Sequence, residues 1–153
     1  MVAEIRFCSP LGKWWFLSPY AEFPIQMNVD GKFYTFPTVE HYYQAMKFHA
    51  TDARFQTILS LKNPDDARLL TKKPEYKINR RLDFDENKYT IMEAGLYAKF
   101  TQNPEAAEML KATGDAVLIK SCTVCYKCGF GEGSGHNRMG KILMKIREEL
   151  SNI

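Results

Sequence analysis

The tightest constraint on the fold is the stretch Phe36-Pro37-Thr38-Val39-Glu40-His41-Tyr42-Tyr43-Gln44-Ala45-Met46-Lys47-Phe48. Pro37 and Thr38 form a helix-start signal, because proline fits a first turn and a threonine hydroxyl can cap it. At about 3.6 residues per turn, Glu40, Tyr43, Gln44 and Lys47 fall on one stripe, while Val39, Tyr42, Ala45 and Met46 make an apolar flank that packs inward. The stripe carries a carboxylate, a phenol, an amide and an amine, which are the groups of an active-site wall. A surface helix with a Glu-to-Lys pair is the competing reading. Glu40 lies in the first turn, where free backbone N–H groups and the helix dipole favour its ionised form.

A hairpin feeds this helix. Ile25 to Val29 alternates, Asp30-Gly31 is the turn, and Lys32 to Thr35 returns. Ile5 to Cys8 predicts a short strand, and Val117 to Ile119 another. Helical patterns start at Asp52, at Asn63-Pro64, at Asp83 (running to about Thr101), at Asn103-Pro104 and at Met139. Lys72-Lys73-Pro74 is expected to end the Asn63 helix, leaving Lys72, Lys73, Lys77, Arg80 and Arg81 in a basic loop that either grips phosphates or is simply solvated. Trp14 to Tyr20 is dense in rings and broken by Pro19, so a partly buried loop with aromatics lining a cleft is expected.

A chain of 153 residues, 45% hydrophobic and 25% charged, is expected to be one globular domain spanning 1–153. No apolar run reaches membrane-spanning length, and the first residues have no signal core, so a cytoplasmic location is expected. A net charge of +3 does not by itself imply nucleic-acid binding, but it suits an anionic ligand. The four cysteines are Cys8, Cys122, Cys125 and Cys128, expected as free thiols. With His136 they have the residue types of a zinc site, yet paired knuckles are missing; the plainer reading is small buried residues beside a loop, and no metal is expected.

The second informative stretch is Gly129 to Arg138. Gly129, Gly131, Gly133 and Gly135 let backbone approach a ligand and turn its N–H groups toward it. The loop opens onto the start of the last helix, a natural anion site, and Asn137 and Arg138 add donors that match phosphate or ribose. It matches neither the Rossmann nor the P-loop pattern.

The stretch from Phe36 to Phe48 resembles the signature of the NADAR (YbiA-like) superfamily. The similarity continues through Leu17-Ser18-Pro19-Tyr20, the Lys88 to Phe100 helix and His136-Asn137-Arg138-Met139-Gly140-Lys141, covering nearly the whole chain in family order. It departs at Thr123, where many members carry Asp, at Tyr126-Lys127, where they carry Trp-Gly, and at Phe84, commonly Trp. The resemblance implies a mainly α fold with a few short β-strands in a single compact YbiA-like domain. It implies cleavage of an N-glycosidic bond without a cofactor. Removal of ADP-ribose from guanine, in nucleotide or nucleic acid, is the leading expectation; a ribosylated riboflavin-pathway intermediate, or non-catalytic binding of an ADP-ribose or NAD-derived ligand, are the alternatives. Breaking the C1′–N bond builds positive charge on ribose. Glu40 is then the residue to stabilise it and orient water, Lys47 to bind phosphate or a ribose oxygen, and Tyr43 and Gln44 to position the sugar. Trp15, Phe16 or Phe84 would stack on the base, and Asn137, Arg138 and the backbone at Gly133 and Gly135 would hold phosphates.

Overall fold

The computed structural model describes residues 3–8, 12–121 and 137–152. The fold is mainly helical with short strands, as the resemblance implied. Strand β1 (Glu4–Phe7) leads through a 3-10 turn (Trp15–Leu17) to the hairpin β2 (Ile25–Val29) and β3 (Lys32–Phe36). Helices α1 (Val39–Ala45), α2 (Ala53–Ser60), α3 (Pro64–Leu70), α4 (Pro74–Ile78), α5 (Phe84–Gln102) and α6 (Pro104–Lys111) follow, then β4 (Val117–Lys120) and α7 (Arg138–Ser151).

The hairpin register pairs Ile25 with Phe36 and Val29 with Lys32. Its turn residues Asp30 and Gly31 both take positive φ, 54° and 87°, as a two-residue hairpin loop matching strand twist requires. The second sheet is non-local: β1 and β4 run parallel, Glu4 opposite Val117 and Phe7 opposite Lys120. Helix α7 packs on β4, and Gly140 makes that approach possible, since a Cβ there would meet the Leu118 carbonyl and the Asn137 side chain.

Helix α1 sits at the centre. Every residue from Val39 to Ala45 is buried, because α2, α3 and α5 all pack against it. The expected division into an inward apolar flank and an open polar stripe therefore does not hold; the polar stripe is buried too. A Cβ at Gly95 of α5 would stand 2.9 Å from Val39 Cγ1 and 3.0 Å from the Tyr42 ring, so glycine sets the α1–α5 distance. Lys47 lies just past the helix, its N–H bonded to the Gln44 carbonyl at 3.2 Å.

Two further sequence expectations are corrected. Pro74 does not leave the basic segment as loop: it opens α4 from its first turn, where its missing N–H costs no helix bond. Cys8 is disulfide-bonded rather than a free thiol. The other cysteines, 122, 125 and 128, lie outside the described residues. Among the described residues no cluster of His, Cys, Asp or Glu is arranged to hold a metal, and no helix is long and apolar enough to cross a membrane.

Candidate active site

The site begins with the start of α1. Thr38 caps it as expected, its Oγ1 accepting the His41 N–H at 3.1 Å. The same hydroxyl lies 2.8 Å from His41 Nδ1, and His41 Nε2 lies 2.8 Å from the Leu61 carbonyl. A carbonyl only accepts, so Nε2 carries the ring proton and Nδ1 accepts from Thr38. Burial lowers the imidazole's proton affinity and keeps it neutral. His41 thus ties α1 to the end of α2. Thr38→Ala removes both bonds and is expected to lower unfolding stability by about 1–2 kcal/mol; an unchanged urea midpoint would contradict that role.

Glu40 is fully buried. Its backbone N–H donates to the Pro19 carbonyl at 3.0 Å, so the ring-rich segment before the hairpin lies against the first turn of α1. Its Oε2 accepts from Gln44 Nε2 at 3.3 Å, and Oε1 has no hydrogen-bond partner among the described residues. Gln44 is oriented from the other side, where the Thr71 hydroxyl lies 2.8 Å from its Oε1. Burial raises the Glu40 carboxyl to about 7, opposed by the Gln44 bond and by the charges of Lys47, Lys120 and Arg68. The helix dipole favours the ionised form, but desolvation outweighs it, because a buried charge without enough partners is costlier than one helix turn can offset.

Lys47 is shifted in the opposite direction. Burial lowers its proton affinity to about 8, with Glu40 raising it and Arg80 lowering it. Its Nζ stands 5.7 Å from the centre of the Tyr43 ring and 5.6 Å from that of Phe84. Tyr43 is buried, and burial followed by the Glu40 charge pushes its phenol well above the usual range. The carboxyl therefore sits among the positive charges of Lys47, Arg68 and Lys120, with Lys72 and Arg80 acting on Lys47.

Of the nominated residues, Glu40, Tyr43, Gln44 and Lys47 come together. The aromatic candidates divide. Trp15 is half-buried, stacked on Phe23 at 5.4 Å, and lines a groove of about 530 Å³ with Tyr20, Glu22, Lys62 and Asn63. Phe16 is a core residue, its ring against Trp14 and Trp15 and its exposure 5%. Phe84 is 2% exposed, edge-on to Tyr43, with Lys47 and the Arg80 guanidinium (5.1 Å) on its ring. Neither ring offers the free stacking face the sequence suggested; Phe84 is instead the floor under the cations.

Asn137 also differs from expectation. It adopts left-handed φ of 49°, which asparagine tolerates. Its Oδ1 accepts the Lys120 N–H at 3.0 Å, and its Nδ2 donates to the Leu118 carbonyl at 2.9 Å. The amide takes the place of a third strand along the outer edge of β4 and fixes the backbone of Lys120, rather than facing a phosphate. Arg138 lies over the Tyr89 ring at 4.2 Å, beside a cavity of about 230 Å³ shared with Glu93 and Lys141. Gly133 and Gly135, the whole glycine loop to His136, and the departures at Thr123 and Tyr126 lie outside the described residues.

Sequence reasoning missed Arg68, Lys120 and Thr71 at this site. Arg68 is buried and paired with Asp65 at 2.9 Å, which reads locally as an ordinary i,i+3 helix pair. The Lys120 charge acts on Glu40 from β4, a strand placed by pairing with β1, more than a hundred residues away in sequence.

These geometric features stand beside three comparisons. The family model "NADAR domain" matches residues 7–151. "N-glycosidase YbiA" of Escherichia coli (strain K12) is 34% identical over 148 residues, covering 96% of this chain and 88% of that protein. "Riboflavin biosynthesis protein VVA0006" of Vibrio vulnificus (strain YJ016) is 35% identical over 154 residues, and "Riboflavin biosynthesis protein PYRR, chloroplastic" of Zea mays 34% over 142. The chain spans only 39% and 23% of those two longer relatives. The NMR structure of E. coli YbiA superposes with a TM-score of 0.79 at 33% identity, covering 99% of this chain and 88% of that one. With a match running almost end to end in sequence and in fold, the chain belongs to the NADAR domain family.

Proposed function

We propose that the protein is an N-glycosidase that hydrolyses the C1′–N bond of a phosphate-bearing ribosylated base, with ADP-ribosylated guanine as the leading substrate. The observation that carries this reading is a fully buried carboxyl, Glu40, with one oxygen unpartnered among the described residues and under the charges of Lys47, Lys120 and Arg68. A carboxyl near 7 is populated in both forms at neutral pH. Protonated, Glu40 gives its proton to the departing base nitrogen as the C1′–N bond breaks. The carboxylate left behind stabilises the positive ribose, then takes a proton from the water that bonds to C1′. The products are the free base and the ribose 1′-hydroxyl, and Glu40 is again protonated. One residue covers both proton transfers, which matters in a chain that carries Thr123 where many relatives have an acid.

The surrounding cations suit phosphates on the sugar, and Trp15, half-buried at its groove, is the aromatic candidate left for the base. The names of the riboflavin-biosynthesis relatives favour a second substrate, a ribosylamino-pyrimidine phosphate. Chromatographic release of base from ADP-ribosylated guanosine, ADP-ribosylated DNA and the ribosylamino-pyrimidine phosphate, side by side, separates these. Binding of ADP-ribose without release from any of them would instead make the protein a reader.

Lys47, with its proton affinity lowered, also has an amine fraction able to add to C1′ as the base leaves with a proton; the ribosylamine formed opens at its C1′–O4′ bond to an imine, which water hydrolyses to the free amine and the ribose. Borohydride during turnover would trap that adduct as a mass increase on Lys47; an unmodified protein leaves direct attack by water. On either route Lys47→Met is expected to lower kcat/KM by about a hundredfold or more. A change of only a few-fold would remove Lys47 from the machinery.

A further inference from the structure

Lys99 is a lysine in the middle of the protein, fully buried on α5. Its Nζ donates to the Phe16 carbonyl at 2.5 Å and to the Ser18 carbonyl at 2.8 Å. The rings of Phe23 and Phe100 flank it, their centres 5.4 and 4.9 Å away. A desolvated amine is costly, and burial lowers its proton affinity to about 7. A core leucine or methionine would avoid that cost. The lysine makes sense by what it holds.

It holds a segment that reaches the first turn of α1. Residues 16–19 are buried at the end of the 3-10 turn. The Ser18 carbonyl also accepts the Ala21 N–H at 3.1 Å, and Ser18 Oγ accepts the Tyr20 N–H at 3.1 Å. The next carbonyl along, that of Pro19, accepts the backbone N–H of Glu40. One turn before Lys99 on the same helix, Gly95 touches Val39 and Tyr42. Helix α5 therefore fixes α1 twice, directly at Gly95 and through Lys99, the Phe16–Pro19 backbone and the Glu40 N–H.

We propose that Lys99 is a positioning residue for Glu40: it clamps the Phe16–Pro19 backbone so that the Pro19 carbonyl sets the first turn of α1 and aims the carboxyl. The proposal rests on the glycosidase reading only for its effect on turnover; the clamp itself is testable without substrate. Protonated or neutral, the amine has enough N–H groups for both carbonyls, so the clamp persists across neutral pH. Neither partner is a side chain, so sequence pairing rules could not have pointed to it.

The experiment is amide hydrogen exchange on the whole chain, wild type, Lys99→Met and Lys99→Gln, with kcat and KM measured alongside. In the wild type the Ala21 and Glu40 amides, both resting on the clamped segment, are expected to exchange together. In Lys99→Met they are expected to exchange about tenfold or more faster while amides in α2 keep their protection. In Lys99→Gln, which retains a donor, part of the protection is expected to return. On a substrate the wild type turns over, Lys99→Met is expected to lose about tenfold or more in kcat with KM within about threefold, and Gln to recover part of it. Independent exchange of the Glu40 and Ala21 amides in the wild type overturns the proposal even if neither variant folds. So does unchanged Glu40 protection in a folded Lys99→Met. Absence of any turnover by the wild type would fall on the glycosidase reading, and the exchange data would still decide whether Lys99 holds Glu40.

Discussion

Glu40→Gln is expected to abolish base release, lowering kcat by about a thousandfold or more, while making the protein more stable at neutral and alkaline pH. The two effects have one cause. Glutamine keeps the size of the side chain and can still bond Gln44, but it has no proton to give and no charge to set against the ribose. The stability effect follows from linkage. The folded carboxyl titrates at about 7 against an ordinary value of 4.5. Between those values the folded state holds a proton that the unfolded chain has released, so wild-type stability falls as pH rises through that window. Below 4.5 both states are protonated and the burden is absent. The wild type therefore loses on the order of 3 kcal/mol from pH 4.5 to pH 8 that the glutamine variant does not. Part of the gain is offset because Lys47 loses the charge that supports its own proton. Thermal melts should place the variant further above wild type at pH 8 than at pH 4.5. A gap that does not grow with pH would contradict the burial argument, and base release at wild-type rates would contradict the catalytic one.

Gly140→Ala is expected to give the largest loss of stability among small surface-to-core changes, about 3 kcal/mol or more. The reason is local and steric. A Cβ at this position would overlap the Leu118 carbonyl and the Asn137 side chain. Those same two groups are hydrogen-bonded to each other, and Asn137 also holds the Lys120 N–H. The helix cannot slide away without breaking the Asn137 bridge, and β4 cannot shift without leaving β1, beside which Val117 donates to the Ala3 carbonyl at 2.8 Å and Ser121 to the Phe7 carbonyl at 2.9 Å. Lys120, whose charge acts on Glu40, sits on the strand that would move. Substrate affinity is therefore expected to fall with stability in any folded fraction. Urea unfolding within about 1 kcal/mol of wild type would show that α7 has room that the geometry denies.

Features governed by neighbouring residues were legible in the sequence. Thr38 caps α1, and Asn63 caps α3 by accepting the Asp65 N–H at 2.9 Å. Asp30-Gly31 turns the hairpin, and the stripe of Glu40, Gln44 and Lys47 follows from helical spacing. Each rests on bonds within one or two turns. Pro74 shows the limit of the same rules, since proline stops one helix and starts another with equal ease. What depended on distant parts of the chain was not legible. The burial of Glu40 comes from three helices surrounding α1. Phe16 and Phe84 became packing because their faces are covered by Trp14, Trp15, Lys47 and Arg80. Asn137 looked like a phosphate donor until its amide found the edge of β4.

The carboxyl at position 40 holds its proton close to neutrality under the charges of Lys47, Lys120 and Arg68. Carbon-13 labelling of the glutamate carboxyls, followed by NMR across pH with Glu40→Gln to assign the resonance, reads that protonation itself. A Glu40 midpoint near 7 is expected. A midpoint between 4 and 5, the range of an exposed glutamate, would contradict the buried carboxyl and the proton transfers assigned to it.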